Sequence, residues 1–165
     1  MNPFKNYKSQ RISLTSSFFW LLLIYGFFIG ILQNSDLISV FSIKPNLILP
    51  YFIALAFAEI NIKDYFFISV FTILVIKFFP GLDIISLTLL AFSVLIILSL
   101  NFLNKGQLQI FLMALVLTIL FYILTDQSFF YGNFWSIFIE SSLNALISLL
   151  LYNFLSWLKN KFNYV

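Results

Sequence analysis

Among the acidic side chains of this sequence, Glu140 is the one set well inside an apolar run, FWSIFIESSLNALISLLLYNFLSW from Phe134 to Trp157. Asn144, Ser148 and Tyr152 follow at successive i+4 positions, so in a helix the four polar groups form one stripe while Leu, Ile and Phe cover the rest of the surface. Such a stripe can do three things. Glu140 can pair with Lys77, the cation near the outer end of the third apolar segment. It can be protonated and donate a hydrogen bond, or it can bind a group on a partner protein. An acid at the centre of a spanning helix costs roughly 2.5–3.5 kcal/mol unless it faces a bundle interior. The remaining segments are therefore expected to pack around this helix.

Other reactive chemistry is scarce. Cys and His are absent, which excludes disulfides, a thiolate nucleophile, an imidazole base and a Cys/His zinc or haem site. The six acids are scattered, so a carboxylate metal site or an intramembrane proton relay has no visible basis. There is no Gly-rich phosphate loop and no Ser/His/Asp set. The expectation is a protein that is not an enzyme, uses no cofactor and binds no nucleic acid.

The elements that must position the stripe follow from composition. Of 165 residues 62% are hydrophobic and 9% charged, with a mean hydropathy of +1.03. Too little polar surface remains to cover a water-soluble globule. The expected fold is an all-α integral membrane protein, a bundle of six transmembrane helices. Residues 1–13, with Lys5, Lys8 and Arg11 and no acid, read as a basic flank, residues 14–158 as the transmembrane domain, and residues 159–165 as a short tail.

Within that domain the apolar segments run Leu14–Leu32, Leu47–Ile60, Tyr65–Phe79, Ile84–Phe102, Leu108–Leu124 and Phe134–Trp157. The first is longer than a signal-peptide core and lacks a small-residue cleavage site after it. Its Gly26 and Gly30 form a Gly-x-x-x-Gly pair that lets another backbone approach closely, and Ala54 and Ala58 offer the same in the second segment. The second and third segments are short for full spans, so a re-entrant hairpin stands as the alternative to two crossings. The loop Asp126–Asn133, rich in Phe and Tyr, meets Trp135 and reads as an interfacial belt. With an inside N-terminus, seven of the nine basic residues fall on the inner side, leaving Lys44 and Lys77 outside, and both termini are cytoplasmic.

The order of segments resembles the rod shape-determining protein MreD family. The run IKPNLILPYFIALAF (Ile43–Phe57) is similar to that family's second helix, with a basic residue, Pro and a polar residue before a Leu/Ile stretch. PGLDIISLTLLAFSVLIILS (Pro80–Ser99) resembles its Gly-led fourth helix. LNKGQLQIFLMALVLTILFYILT (Leu103–Thr125) and SLNALISLLLYNFL (Ser142–Leu155), with Asn144, are similar to its closing pair. The resemblance implies a component of the bacterial inner membrane that supports cell shape and side-wall peptidoglycan synthesis. It would bind the bitopic protein MreC and act with actin-like MreB, RodA and its transpeptidase partner, with membrane lipid around it. The family fold is similar to the substrate-binding subunits of energy-coupling-factor vitamin transporters, which supplies the alternative function; Gly26 and Gly30 would then form a docking face.

Overall fold

The computed structural model describes residues 17–35, 39, 43–77, 83–103 and 106–163. The basic flank at residues 1–13, the Pro80-Gly81 break and Lys105 lie outside them. The regular elements are helices: α1 (Ser17–Asn34), α2 (Ile48–Phe57), α3 (Ile62–Ile76), α4 (Ile84–Ser99), α5 (Gln107–Thr125), α6 (Gln127–Gly132) and α7 (Phe134–Asn163). By length and apolarity α1, α5 and α7 can cross a membrane, while α2 and α4 are shorter apolar helices.

The centre of the molecule is α2. Every residue from Ile48 to Phe57 is buried, under cover from α1, α3, α4, α5 and α7. This corrects the expectation that the other helices surround the last one. At ten residues, about 15 Å, α2 is too short to cross a bilayer unaided, and it is apolar on all sides, the pattern of a helix with no solvent or lipid face. In contrast α7 keeps an outward face, with Leu146 and Leu150 exposed.

Both ends of α2 are tied by side chains from other parts of the chain. At its start the Asn46 Oδ1 accepts from the Ile48 and Leu49 N–H groups, and Gln33 Oε1 from the Leu47 N–H at 2.7 Å. At its end the Lys159 ammonium donates to the Ala58 carbonyl at 2.9 Å and lies 4.0 Å from the Glu59 carboxylate. Glu59 has φ 57°, the left-handed turn that lets the chain leave α2 for α3. Residue 158 is thus no boundary: α7 continues to Asn163, and Lys159 is part of the fold.

The contacts also fix direction. Tyr51 of α2 donates to the Leu22 carbonyl while Leu47 meets Gln33, so α1 and α2 are antiparallel. Gly26 faces Thr72 and Gly30 faces Val75, so α1 and α3 run parallel. Tyr65 donates to the Ser93 carbonyl and Lys77 meets Asp83, making α3 and α4 antiparallel. The Tyr122–Glu140 and Asn144–Thr118 bonds do the same for α5 and α7. The aromatic loop after α5 contains the short helix α6, N-capped by Asp126, whose carboxylate accepts from the Phe129 N–H.

Candidate functional site

The polar stripe of α7 is turned inward. Glu140 is 4% exposed and Asn144 and Ser148 are fully buried, with Tyr152 half-buried against the core. Two partners come from α5, where Thr118 and Tyr122 sit one turn apart on the face that meets α7. The Tyr122 hydroxyl donates to Glu140 Oε2 at 2.5 Å, and Asn144 Nδ2 donates to Thr118 Oγ1 at 3.1 Å. The Thr118 and Ser148 hydroxyls donate to the carbonyls one turn back, Ala114 and Asn144. The Asn46 backbone N–H, at the start of α2, is a further polar neighbour of the Glu140 carboxyl. The seam therefore joins α5, α7 and the start of α2.

Lys77 is elsewhere. Its ammonium stands 3.6 Å from the Asp83 carboxylate across the α3–α4 turn, so of the three options for Glu140 the pairing with Lys77 is the one this arrangement removes. The physical reason is proximity along the chain: Asp83, the N-cap of α4, is six positions away and already fixed by the Ser86 N–H. Asp83 is held below the usual carboxylate range first by the Ser86 hydroxyl, then by the Ser86 N–H, with the Lys77 charge a smaller contribution.

The small residues are spent inside the chain. A Cβ added to Gly26 would stand 2.5 Å from Thr72 Oγ1 and 3.3 Å from Tyr51 Cε1, and one on Gly30 would stand 2.8 Å from Val75 Cγ1. The pair seats α1 on α3. Ala54 and Ala58 are buried within α2, and the Ala58 carbonyl is the one that Lys159 holds.

Tyr122, Thr118 and Lys159 are the members of this arrangement that the sequence reading missed. Thr118 and Tyr122 carry an i, i+4 signal that mirrors the α7 stripe, but both pass as ordinary residues of an apolar segment. Lys159 reads as an orienting charge after a helix end.

No family model, curated protein or solved structure matches this chain. Fold and site together define a class: an all-helical chain, three of whose helices are compatible with crossing a membrane, with a buried polar seam and an apolar exterior.

Proposed function

We propose that this chain is a six-span, non-enzymatic scaffold of a bacterial inner membrane, with both termini cytoplasmic. Within that class the reading best supported by segment order is the MreD-like one, a subunit of the rod complex that binds MreC and works with MreB, RodA and its transpeptidase to support side-wall synthesis.

The observation that carries the scaffold reading is where polarity goes. Glu140, Asn144, Ser148, Thr118 and Lys159 are all turned onto other parts of the chain, whereas outward positions such as Ile24, Phe28, Leu74, Leu98 and Leu150 are apolar. A partner would meet shaped apolar surface, the kind that spanning helices recognise by packing. The antiparallel pairing of α1 with α2, of α3 with α4 and of α5 with α7 supports six crossings, with α2 completed by its flanking residues. Single-cysteine labelling at Ile62 in the Cys-free chain tests this: modification from outside refutes the topology.

The alternative, a vitamin-binding transporter subunit, would use Gly26 and Gly30 as an open docking face, yet Thr72 and Val75 already cover them. A groove of about 290 Å³ between α4 and α5 is lined mostly by Leu95, Leu112, Met113, Val116 and Leu117, with Gln109 and Ser99 as its polar groups. A polar vitamin needs several converging polar groups. Affinity purification from native membranes separates the two: a bitopic coiled-coil partner, with loss of rod shape on depletion, supports the scaffold, and a stoichiometric small molecule with no such partner refutes it.

A further inference from the structure

The groove between α4 and α5 has dimensions that select its occupant. Because α5 packs chiefly on α7, its side toward α4 is only lightly covered. Met113 and Leu117 make a buried floor, and Leu95, Leu112, Val116 and Leu120 stand as exposed rims. Along α5 the groove runs from Gln109 to Leu120, about 16 Å by the helical rise. Spread over that length, its volume of about 290 Å³ gives a channel roughly 5 Å across, the girth of one hydrocarbon chain whose carbons pack at about 3.5–4.0 Å. A helix about 10 Å wide is too thick to enter. The polar groups of the lining, Ser99 and Gln109, are gathered at the end beside the α4–α5 turn, and from there to Leu120 the walls are apolar.

We propose that this groove is a lipid site that takes one acyl chain of an inner-leaflet phospholipid, with the ester beside Gln109 and the methyl end toward Leu120. Length, girth and polarity point the same way. With the N-terminus cytoplasmic, the α4–α5 turn lies at the inner face, and the groove descends from it through a depth close to the ~15 Å of hydrocarbon in one leaflet. At the mouth the Ser99 hydroxyl already donates to the Ile96 carbonyl, and the Gln109 carboxamide folds back against Gly106 at the start of α5. The N–H groups of that carboxamide suit an ester carbonyl, and nothing deeper in the groove offers a polar contact. A partner helix packs along a whole span, whereas this groove stops short of Thr125, the outer end of α5. A bound chain supplies the contacts that α4 and α5 do not make with each other. The inference deepens the membrane reading and rests on it, since the α4–α5 turn must lie at the inner face.

The full chain, reconstituted in bilayers, is irradiated with phosphatidylethanolamine carrying a diazirine on one acyl chain, placed near the ester in one preparation and near the methyl end in another, and the adducts are mapped on peptides. The near-ester probe is expected to label the Ser99 and Gln109 end and the chain-end probe the Val116 and Leu120 end, both above the level at outward positions such as Leu74 and Leu150. Val116→Phe, which narrows the groove, should lower the groove adducts about threefold or more, while Leu150→Phe leaves them unchanged. Labelling spread evenly over the outward faces, with no effect of Val116→Phe, overturns the site and leaves only the fluid lipid around any span. Groove residues shielded from both probes while Leu74 and Leu150 are labelled overturn it in favour of a second copy of the chain covering that face. A reversed order of the two probes overturns the inner-leaflet assignment. Absence of lipid adducts everywhere refutes the membrane reading itself, so the two failures are told apart. Mapping on the parent chain decides even if Val116→Phe fails to fold.

Discussion

Replacing Gly26 by Ala asks whether the Gly-x-x-x-Gly face belongs to the fold or to a partner. The new methyl would stand 2.5 Å from Thr72 Oγ1, well inside ordinary contact, and 3.3 Å from the Tyr51 ring. Neither neighbour is free to give way. Thr72 is fully buried and its hydroxyl donates to the Ile68 carbonyl at 2.8 Å, while the Tyr51 ring is anchored by its 2.6 Å bond to the Leu22 carbonyl. Overpacking of this kind costs about 1–3 kcal/mol. Against it stands a gain of up to about 1 kcal/mol for Ala over Gly in a helix interior. The net expectation is a loss of about 1–2 kcal/mol, read by unfolding in mixed micelles with tryptophan fluorescence. Thr72→Ala removes the colliding oxygen, so the double variant should recover most of the loss, with a coupling of about 1 kcal/mol or more in the double-mutant cycle. A Gly26→Ala protein as stable as the parent, or a cycle without coupling, would show that α1 and α3 do not approach in this way.

Two further outcomes follow from the ends of the helices. Lys159→Met should cost about 1–2 kcal/mol by removing a charged donor from the carbonyl end of α2, whereas Glu59→Gln should cost under about 1 kcal/mol because that carboxylate is half exposed; equal losses in the same unfolding assay would contradict the assignment. Asp83 and Asp126 are both held below the usual carboxylate range, Asp126 first by the Phe129 N–H and then by the Ser128 hydroxyl. Their contributions are therefore present above the unfolded value of about 3.9 and fade as pH falls through the lower folded values. Amide exchange at Ser86 and Phe129, corrected for intrinsic rates, should accelerate between pH 5 and 2 by about tenfold or less; unchanged protection refutes the capping role.

The α7 stripe was legible because four polar residues at i+4 spacing are conspicuous against Leu and Ile, and only the interior can receive them. The identity of the hub was not. In a membrane protein the outward face is as apolar as the core, so α2, buried on every side, and α7, buried on one, carry the same kind of letters. Length was the usable clue, since ten apolar residues suit a core helix better than a span. Lys77 as a partner for Glu140, one of three options open in the sequence, fell away because a depth estimate says nothing about which helices touch, and a nearer acid took the charge. The α6 helix was read as loop because six residues are too few for a periodic signal, although Asp126 and the Phe129 N–H three positions on make a recognisable cap.

The relation between α2 and α7 explains why a chain with so little polar surface nevertheless adopts one arrangement. Apolar packing alone tolerates sliding, because Leu against Leu is nearly as good one turn up or down. Polar contacts at two depths remove that freedom. Near the start of α2, Asn46 and Gln33 satisfy the first N–H groups while Glu140 and Tyr122 tie α7 to α5; at its end, Lys159 holds the Ala58 carbonyl. A one-turn slip of about 5.4 Å would break both sets at once. Register is thus set by a few inward polar groups, which leaves the outward apolar faces free to vary in shape for whichever helices they meet.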